Sequence, residues 1–348
     1  MSKFNIWNKW DPLKVCMLGN NYTPEYFDGL DNAAETPLKR ICNETLEDLE
    51  GFKTILQDFG VEVIQPVMDN SQRFIDDHLI ATARGPLQPR DFQLVLGNKC
   101  FIWPHKDHPA LAHCLRDYSD KCIDMPPWDI SKEPLTSATV FMIGKDVYHT
   151  IAPNPNLAPI HDAMFKNHRR NILPPTVQGH ADGSFHTIKP GVILSLHDVQ
   201  NYESTFPGWD VCFLEDESWS KVQGWNRLKR KNAGKWYLAG ETDNDEFIHF
   251  VNHWLSDWVG YVEESVFDVN VLVLDEHHVC ISNPHNEIVN AFLKKHKMEA
   301  IYVPWRHRWF WDGGLHCITL DLYREGTQQD YFPERADQTI VHTIPAIQ

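Results

Sequence analysis

The chain has no CxxC pair, no excess of basic residues and no long apolar run. Each gap removes a class of protein. The eight cysteines stand apart at positions 16, 42, 100, 114, 122, 212, 280 and 317. They lack the paired spacing of zinc ribbons and of thiol–disulfide oxidoreductases. Lys and Arg total 32 against 48 Asp and Glu, a net charge of −16. Nonspecific binding of nucleic acid or of an anionic membrane needs a positive surface, so neither partner is expected. The nearest basic cluster, Arg227, Lys229, Arg230 and Lys231, is short and reads as a solvated helix end or loop. No stretch approaches the roughly 18 apolar residues of a membrane helix. The opening MSKFNIWNKWDPLKV has no apolar core of the kind a secretory signal carries. A cytoplasmic protein with reduced thiols is the expectation.

What is present is the material for a large core. Of 348 residues, 42% are hydrophobic and 23% charged, with 13 Trp and 18 Phe. That composition predicts a globular fold, with length enough for one large domain or two ordinary ones. Short β-rich segments recur in one format, most of them meeting a tight turn and then a second run: KVCMLGNN (14–21), FQLVLGNKCFIW (92–103), TVFMIGKDVYHT (139–150), HTIKPGVILSL (186–196), NVLVLDEHHVCIS (270–282) and HCITLDLYRE (316–325). Helical periodicity marks 44–59, with Leu46, Leu49, Phe52, Leu56 and Phe59 on one face, and 286–297, which ends in basic residues. GVEVIQP (60–66) and AIYVP (300–304) then read as strands. A repeated hairpin–helix–strand unit favours a radial or solenoid architecture over a doubly wound sheet. The Trp-rich stretch 200–239 breaks the pattern and reads as an insertion.

Three short motifs carry chemistry. In Asp312-Gly313-Gly314-Leu315-His316-Cys317 a thiol follows two glycines at the start of an apolar run. Glycines admit close backbone approach and φ > 0, and a thiol at a sheet rim can act as a nucleophile, although free cysteine is also a common buried residue. In HADGSF, His180 and Asp182 lie two apart. If extended, both side chains point to one side and set an acid/base beside a cation-binding group. In PRDFQLVLGN, Asp91 stands at a strand entry. Taken singly, the second and third also fit a surface histidine and a polar strand cap.

Together these motifs resemble the glycine amidinotransferases of the guanidino-group-modifying superfamily, nearly end to end. WDPLKVCMLG, PRDFQLVLGN, HADGSFHTIKPGVILS, NVLVLDEHHV and GGLHCITLDLYREGT each resemble a family segment. The resemblance implies a single domain over 1–348 with an α/β fold, the pentein propeller, with five pseudo-symmetric ββαβ repeats around a central site. It implies Cys317 as the nucleophile, His180 as the general acid/base, and Asp91 and Asp182 as the carboxylates that grip the guanidinium. The implied partners are a small guanidino donor and an amine acceptor, with no cofactor and no metal; a homodimer is left open. A guanidinium is planar and always charged, so carboxylates set edge-on would fix it and aim its carbon at the sulfur.

The chain departs from the family in two places. The family's histidine-orienting aspartate falls on Thr139 and an earlier acid on Thr136, with Glu133 upstream as a displaced substitute. A hydroxyl cannot neutralise an imidazolium. The arginine that holds the substrate α-carboxylate falls on Val199, and the family's paired serines are Phe267 and Asp268. An acid at 268 would favour a cationic substrate end, which predicts a donor other than free arginine. Arg306, Arg308, Trp309 and Trp311 are candidates for the pocket mouth, or for a packed aromatic loop. Rival readings are a hydrolase resembling arginine deiminase, a guanidinium-binding pseudoenzyme, and a metal protein using His277, His278, His105, His108 or His113. The last lacks any standard ligand spacing.

Overall fold

The computed structural model describes residues 3–77, 84–103, 108–125, 135–149, 158–173, 180–197, 201–214, 237–256, 258–259, 268–311 and 313–341. Strand β1 (Leu13–Leu18) leads through helix α1 (Asn32–Asp58) to β2 (Glu62–Ile64). The next unit is the hairpin β3 (Gln93–Leu96) and β4 (Lys99–Ile102), helix α2 (Pro109–Tyr118) and β5 (Cys122–Asp124). Then come β6 (Val140–Ile143), β7 (Asp146–His149), α3 (Ala158–Met164) and β8 (Arg169–Ile172). The unit after that is β9 (Phe185–Lys189), β10 (Val192–Leu196) and β11 (Asp210–Leu214). Helix α4 (Asp245–Trp254) precedes β12 (Leu272–Val273), β13 (His278–Ile281), α5 (Glu287–Lys295) and β14 (Glu299–Tyr302). Strands β15 (Thr319–Arg324) and β16 (Ile340–Val341) complete the set.

Each unit builds one small sheet by one rule. Its first two strands pair antiparallel and its third pairs parallel with the second, as in β3-β4-β5, β6-β7-β8, β9-β10-β11 and β12-β13-β14. The fifth sheet obeys it with strands from far apart in sequence. β15 pairs antiparallel with β1, Leu18 opposite Thr319, and β1 pairs parallel with β2, Val15 opposite Glu62. KVCMLGNN is therefore half of a pairing closed across the sequence, not the first arm of a local hairpin. Tight turns set the register of the local hairpins. At Gly97 and Gly144 φ is +58°, and a Cβ on Gly144 would sit 2.0 Å from the Gln329 carbonyl oxygen, so glycine is required there.

Helices cover the outer faces. α1 begins twelve residues earlier than its apolar spacing predicts, with Asp31 accepting from the Ala33 N–H as N-cap. It buries Leu38, Ile41, Leu49, Phe52 and Leu56 against β1 and its neighbours, each contributing roughly 1.5–3 kcal/mol. α5 matches its prediction and is capped by Asn286. Of the stretch 200–239 read as an insertion, residues 210–214 form β11, the parallel partner of β10, and 215–236 lie outside the described residues.

The strand entries of the five sheets meet at one centre, joined by hydrogen bonds from each unit to the next. Ser137 N donates to Gln93 O at 2.7 Å, and Ala181 N to Ala138 O at 2.9 Å. Asn270 Nδ2 donates to Asp182 O at 3.3 Å and takes the His316 N–H on Oδ1 at 3.0 Å. Arg90 Nε closes the ring on His316 O at 2.6 Å. This places Asp91, Thr136 and Thr139, His180 and Asp182, Asn270 and Cys317 around one point. Among the described residues no helix is long and apolar enough to cross a membrane.

Candidate active site

Cys317 is fully buried at the turn into β15. The glycine pair before it is there for closeness, since neither φ is left-handed. A Cβ on Gly313 would lie 2.4 Å from Gln88 Nε2, and one on Gly314 would lie 2.6 Å from Asn270 Oδ1. Trp305 Nε1 holds the Gly313 carbonyl at 2.8 Å, and Gln88 Nε2 holds that of Trp311 at 2.8 Å. Asn270 does most of the positioning. Its Oδ1 accepts from the backbone N–H of His316 and of Cys317, the latter at 3.2 Å. Its Nδ2 lies 3.1 Å from Cys317 Sγ, offering a donor to negative charge on the sulfur. Asp182 Oδ2 is 4.0 Å from the same sulfur.

His180 is extended, with φ −78° and ψ 140°, but Ala181–Gly183 form a 3-10 turn. His180 and Asp182 are therefore not on one face of a strand as their spacing suggested. The turn carries Asp182 inward to the sulfur and leaves His180 half-buried at the rim, with Asp91 Oδ1 3.6 Å from its Nδ1. Thr139 sits beside this turn, and its Oγ1 lies 2.9 Å from the Thr136 N–H and 3.3 Å from the Thr136 carbonyl. Among the described residues, Asp91 presents a carboxylate to the His180 ring.

Beneath the sulfur lies a buried charged cluster drawn from several units. Asp321 accepts from Arg90 Nη2 on one oxygen at 2.7 Å and from Arg324 Nε on the other at 2.8 Å. Burial opposes its charge, but Arg324, Lys9 and Arg90 hold the carboxyl well below the ordinary range. Lys9 Nζ is 3.8 Å from Asp321 and 3.3 Å from His316 Nε2. Burial, and then Arg90, bring the lysine down from 10.5 to about 7. His316 Nδ1 is 2.5 Å from Asp182 Oδ2. Burial, then Arg90 and Lys9, hold His316 well below the usual histidine range, so its ring is neutral.

The comparisons with known proteins point to the same fold. The chain is 24% identical over 389 residues to the mitochondrial glycine amidinotransferase of Xenopus tropicalis, covering 94% of this chain and 84% of that protein. Its structure matches an amidinotransferase of the saxitoxin biosynthetic pathway from Microseira wollei with a TM-score of 0.65, at 19% identity and over 95% and 100% of the two chains. It matches inosamine-phosphate amidinotransferase from Streptomyces griseus equally well, at 0.65 and 19%, over 95% and 99%. No protein-family model matches the chain.

The chain is a pentein-fold relative of the amidinotransferases.

Within this pentein, the predicted residues divide. Cys317, Asp182, His180 and Asp91 converge, with Thr136 and Thr139 beside them. Asp268 accepts from Asn283 and Asn286 Nδ2, both at 2.7 Å, and lies 3.5 Å from Arg308 Nη1. Its charge is met by Arg308, which corrects the expectation of an acid open to a cationic substrate. Arg308 also covers the Trp309 ring at 5.3 Å. Arg306 turns to α1, onto Asp48, Glu47 and the Glu44 carbonyl, and Trp311 is buried with its indole on Thr45. These two belong to the packed loop. Val199, Phe267 and Glu133 lie outside the described residues, as do Asp312 and His105. His108 caps α2, and His278 is held by Asp275 at 2.9 Å. Asn270, Lys9 and the inward role of His316 were not drawn from the sequence. Asn270 opens NVLVLDEHHV and Lys9 precedes WDPL, so both adjoin matched motifs.

Proposed function

We propose that the protein transfers an amidino group from a guanidino donor to an amine acceptor through a covalent amidino-cysteine on Cys317. The observation that carries this reading is that the turn which brings the Asp182 carboxylate to 4.0 Å from Cys317 Sγ also carries His180, whose ring faces Asp91 at 3.6 Å. Asp182 and Asp91 grip the guanidinium nitrogens and present its carbon to the sulfur. The thiolate attacks that carbon. His180 delivers a proton to the departing amine as the carbon–nitrogen bond breaks, leaving a thiouronium on Cys317. The acceptor amine then attacks the same carbon, His180 takes its proton, and the carbon–sulfur bond breaks to return the thiolate. Where the family pattern has an aspartate at 139, Asp91 supplies the negative charge that an imidazolium at 180 needs.

The donor differs from free arginine in this reading. Its support is Val199 at the position aligned with the family's carboxylate-binding arginine. Arg308, already paired with Asp268, offers no open charge in exchange.

Intact mass spectrometry after incubation with a panel of guanidines tests the mechanism. An amidino adduct on the wild type, absent from Cys317→Ala and discharged by an amine, is the expected result. An adduct that survives Cys317→Ala refutes the nucleophile. Discharge by water with urea or ammonia release makes the protein a hydrolase. Binding of L-arginine with ordinary affinity in calorimetry ends the altered-donor reading.

A further inference from the structure

The cluster beneath the sulfur contains a chain of hydrogen bonds whose direction is fixed by its chemistry. A neutral imidazole has a single N–H. With Asp182 ionised and its Oδ2 2.5 Å away, the proton of a neutral His316 sits on Nδ1. Its Nε2 then presents a lone pair to Lys9 Nζ, 3.3 Å away, and Lys9 must donate. We propose that Lys9 and His316 are positioning residues: a one-way relay, Lys9 Nζ to His316 Nε2 and His316 Nδ1 to Asp182 Oδ2, that holds the Asp182 carboxylate aimed and ionised for the guanidinium cation. The inference rests on the reading of Asp182 as a guanidinium-gripping group.

Three further observations support it. All three side chains are buried, Lys9 at 7% exposure, His316 at 2% and Asp182 at 5%, so solvent does not compete for the bonds. A cavity of about 20 Å³ lies against Lys9, Asp182, His186 and His316 on one side and Phe141 and Phe185 on the other, and the buried Nε2 of His186 has no hydrogen-bond partner among the described residues, so the relay borders a space with room for one water. The His186 ring also stands edge-on to His316 at 4.5 Å, which fixes the imidazole plane. The groups facing Lys9 are Arg90 from the turn before β3, Asp321 and Arg324 from β15, Asp182, His186 from β9, and His316. Three cations against two carboxylates leave one positive charge in excess at the hub when Lys9 is protonated. Asp182 is the hub carboxylate that also faces the substrate position.

The tautomer is measured first, on the full-length protein with 15N-labelled histidine. Long-range 1H–15N spectra should give His316 as the Nδ1–H tautomer near neutral pH. An Nε2–H tautomer overturns the relay, whatever the activity. Adduct formation on Cys317 is then followed against guanidine concentration. His316→Gln moves the amide N–H to the Nε2 side, and Lys9→Met removes the donor. Each should raise the half-saturating guanidine about tenfold, the equivalent of one pKa unit of lost interaction, with a smaller change in the maximal rate. His316→Asn keeps an N–H near the Nδ1 position and should restore half-saturation to near the wild-type value. Equal behaviour of His316→Asn and His316→Gln, or a loss confined to the maximal rate, overturns the positioning role. Failure of the wild type to form any adduct overturns the amidinotransferase reading, and the tautomer still decides the relay.

Discussion

At the scale of single residues, the hub turns on a lysine where a sequence reader does not look for one. Lysine is almost never fully buried, so Lys9 beside WDPL reads as surface. Cys317, Asp182, His180 and Asp91 were legible because short motifs carry them. Asn270 was not, since asparagine at a strand start is ordinary and its value comes from touching three neighbours at once. The Lys9 amine titrates near 7 when folded and at 10.5 when unfolded, because burial and Arg90 disfavour its charge. The unfolded chain therefore binds the proton first as pH falls. Stability drops from pH 10.5 down to about 7 and is flat below. Lys9→Met should relieve this by a few kcal/mol at neutral pH, at most about 5. Its advantage in thermal or urea unfolding should shrink as pH rises toward 10. A gain that does not change with pH would show that Lys9 is not the group being titrated.

At the scale of elements, α1 shows where local reading stops. Its apolar spacing marked the second half. The first half contains Pro37, which has no N–H to give the Ala33 carbonyl, and a lone proline inside a pattern argues for a boundary. The helix continues because Asn244 Nδ2, from the start of α4, donates to that carbonyl at 2.7 Å. The same side chain caps α4 by accepting from the Phe247 N–H at 3.0 Å. Such a repair lies about two hundred residues away and leaves no local signal. Asn244→Ala should cost about 1–3 kcal/mol, for a lost cap and an unmet carbonyl. Asn244→Asp keeps the cap acceptor but not the donor, so chemical denaturation of the two variants separates the roles. Equal stability of wild type and both variants would show that the bridge contributes nothing. The His-x-Asp stretch failed as an extended pair for a related reason: period-two logic holds only within a strand, and Ala181–Gly183 is a turn.

At the scale of the whole molecule, a repeated unit was legible from recurring hairpins, its fivefold count came from the family resemblance, and its closure was not legible. Four sheets take three strands each from neighbours in sequence, with β16 added to β8 in one of them, whereas the fifth cannot form its core pairing without β1 and β15 together. No local pattern distinguishes a strand that pairs with the next segment from one that pairs with a segment three hundred residues on. A chain stopped at Trp311 keeps four hairpins but lacks β15 and the residues that close the ring of strand entries. It should show no cooperative thermal transition, and a transition as sharp as that of the full chain would mean the ring does not depend on its fifth member. The closure also has a meaning in time. During synthesis at about 5–20 residues per second, the apolar strand LKVCML emerges first and waits on the order of tens of seconds for its antiparallel partner. Its partner arrives on the same short segment as Cys317. A nascent chain is thus either unable to shield its first strand or newly in possession of its thiol, and reactivity begins only when the edge that invites aggregation is gone.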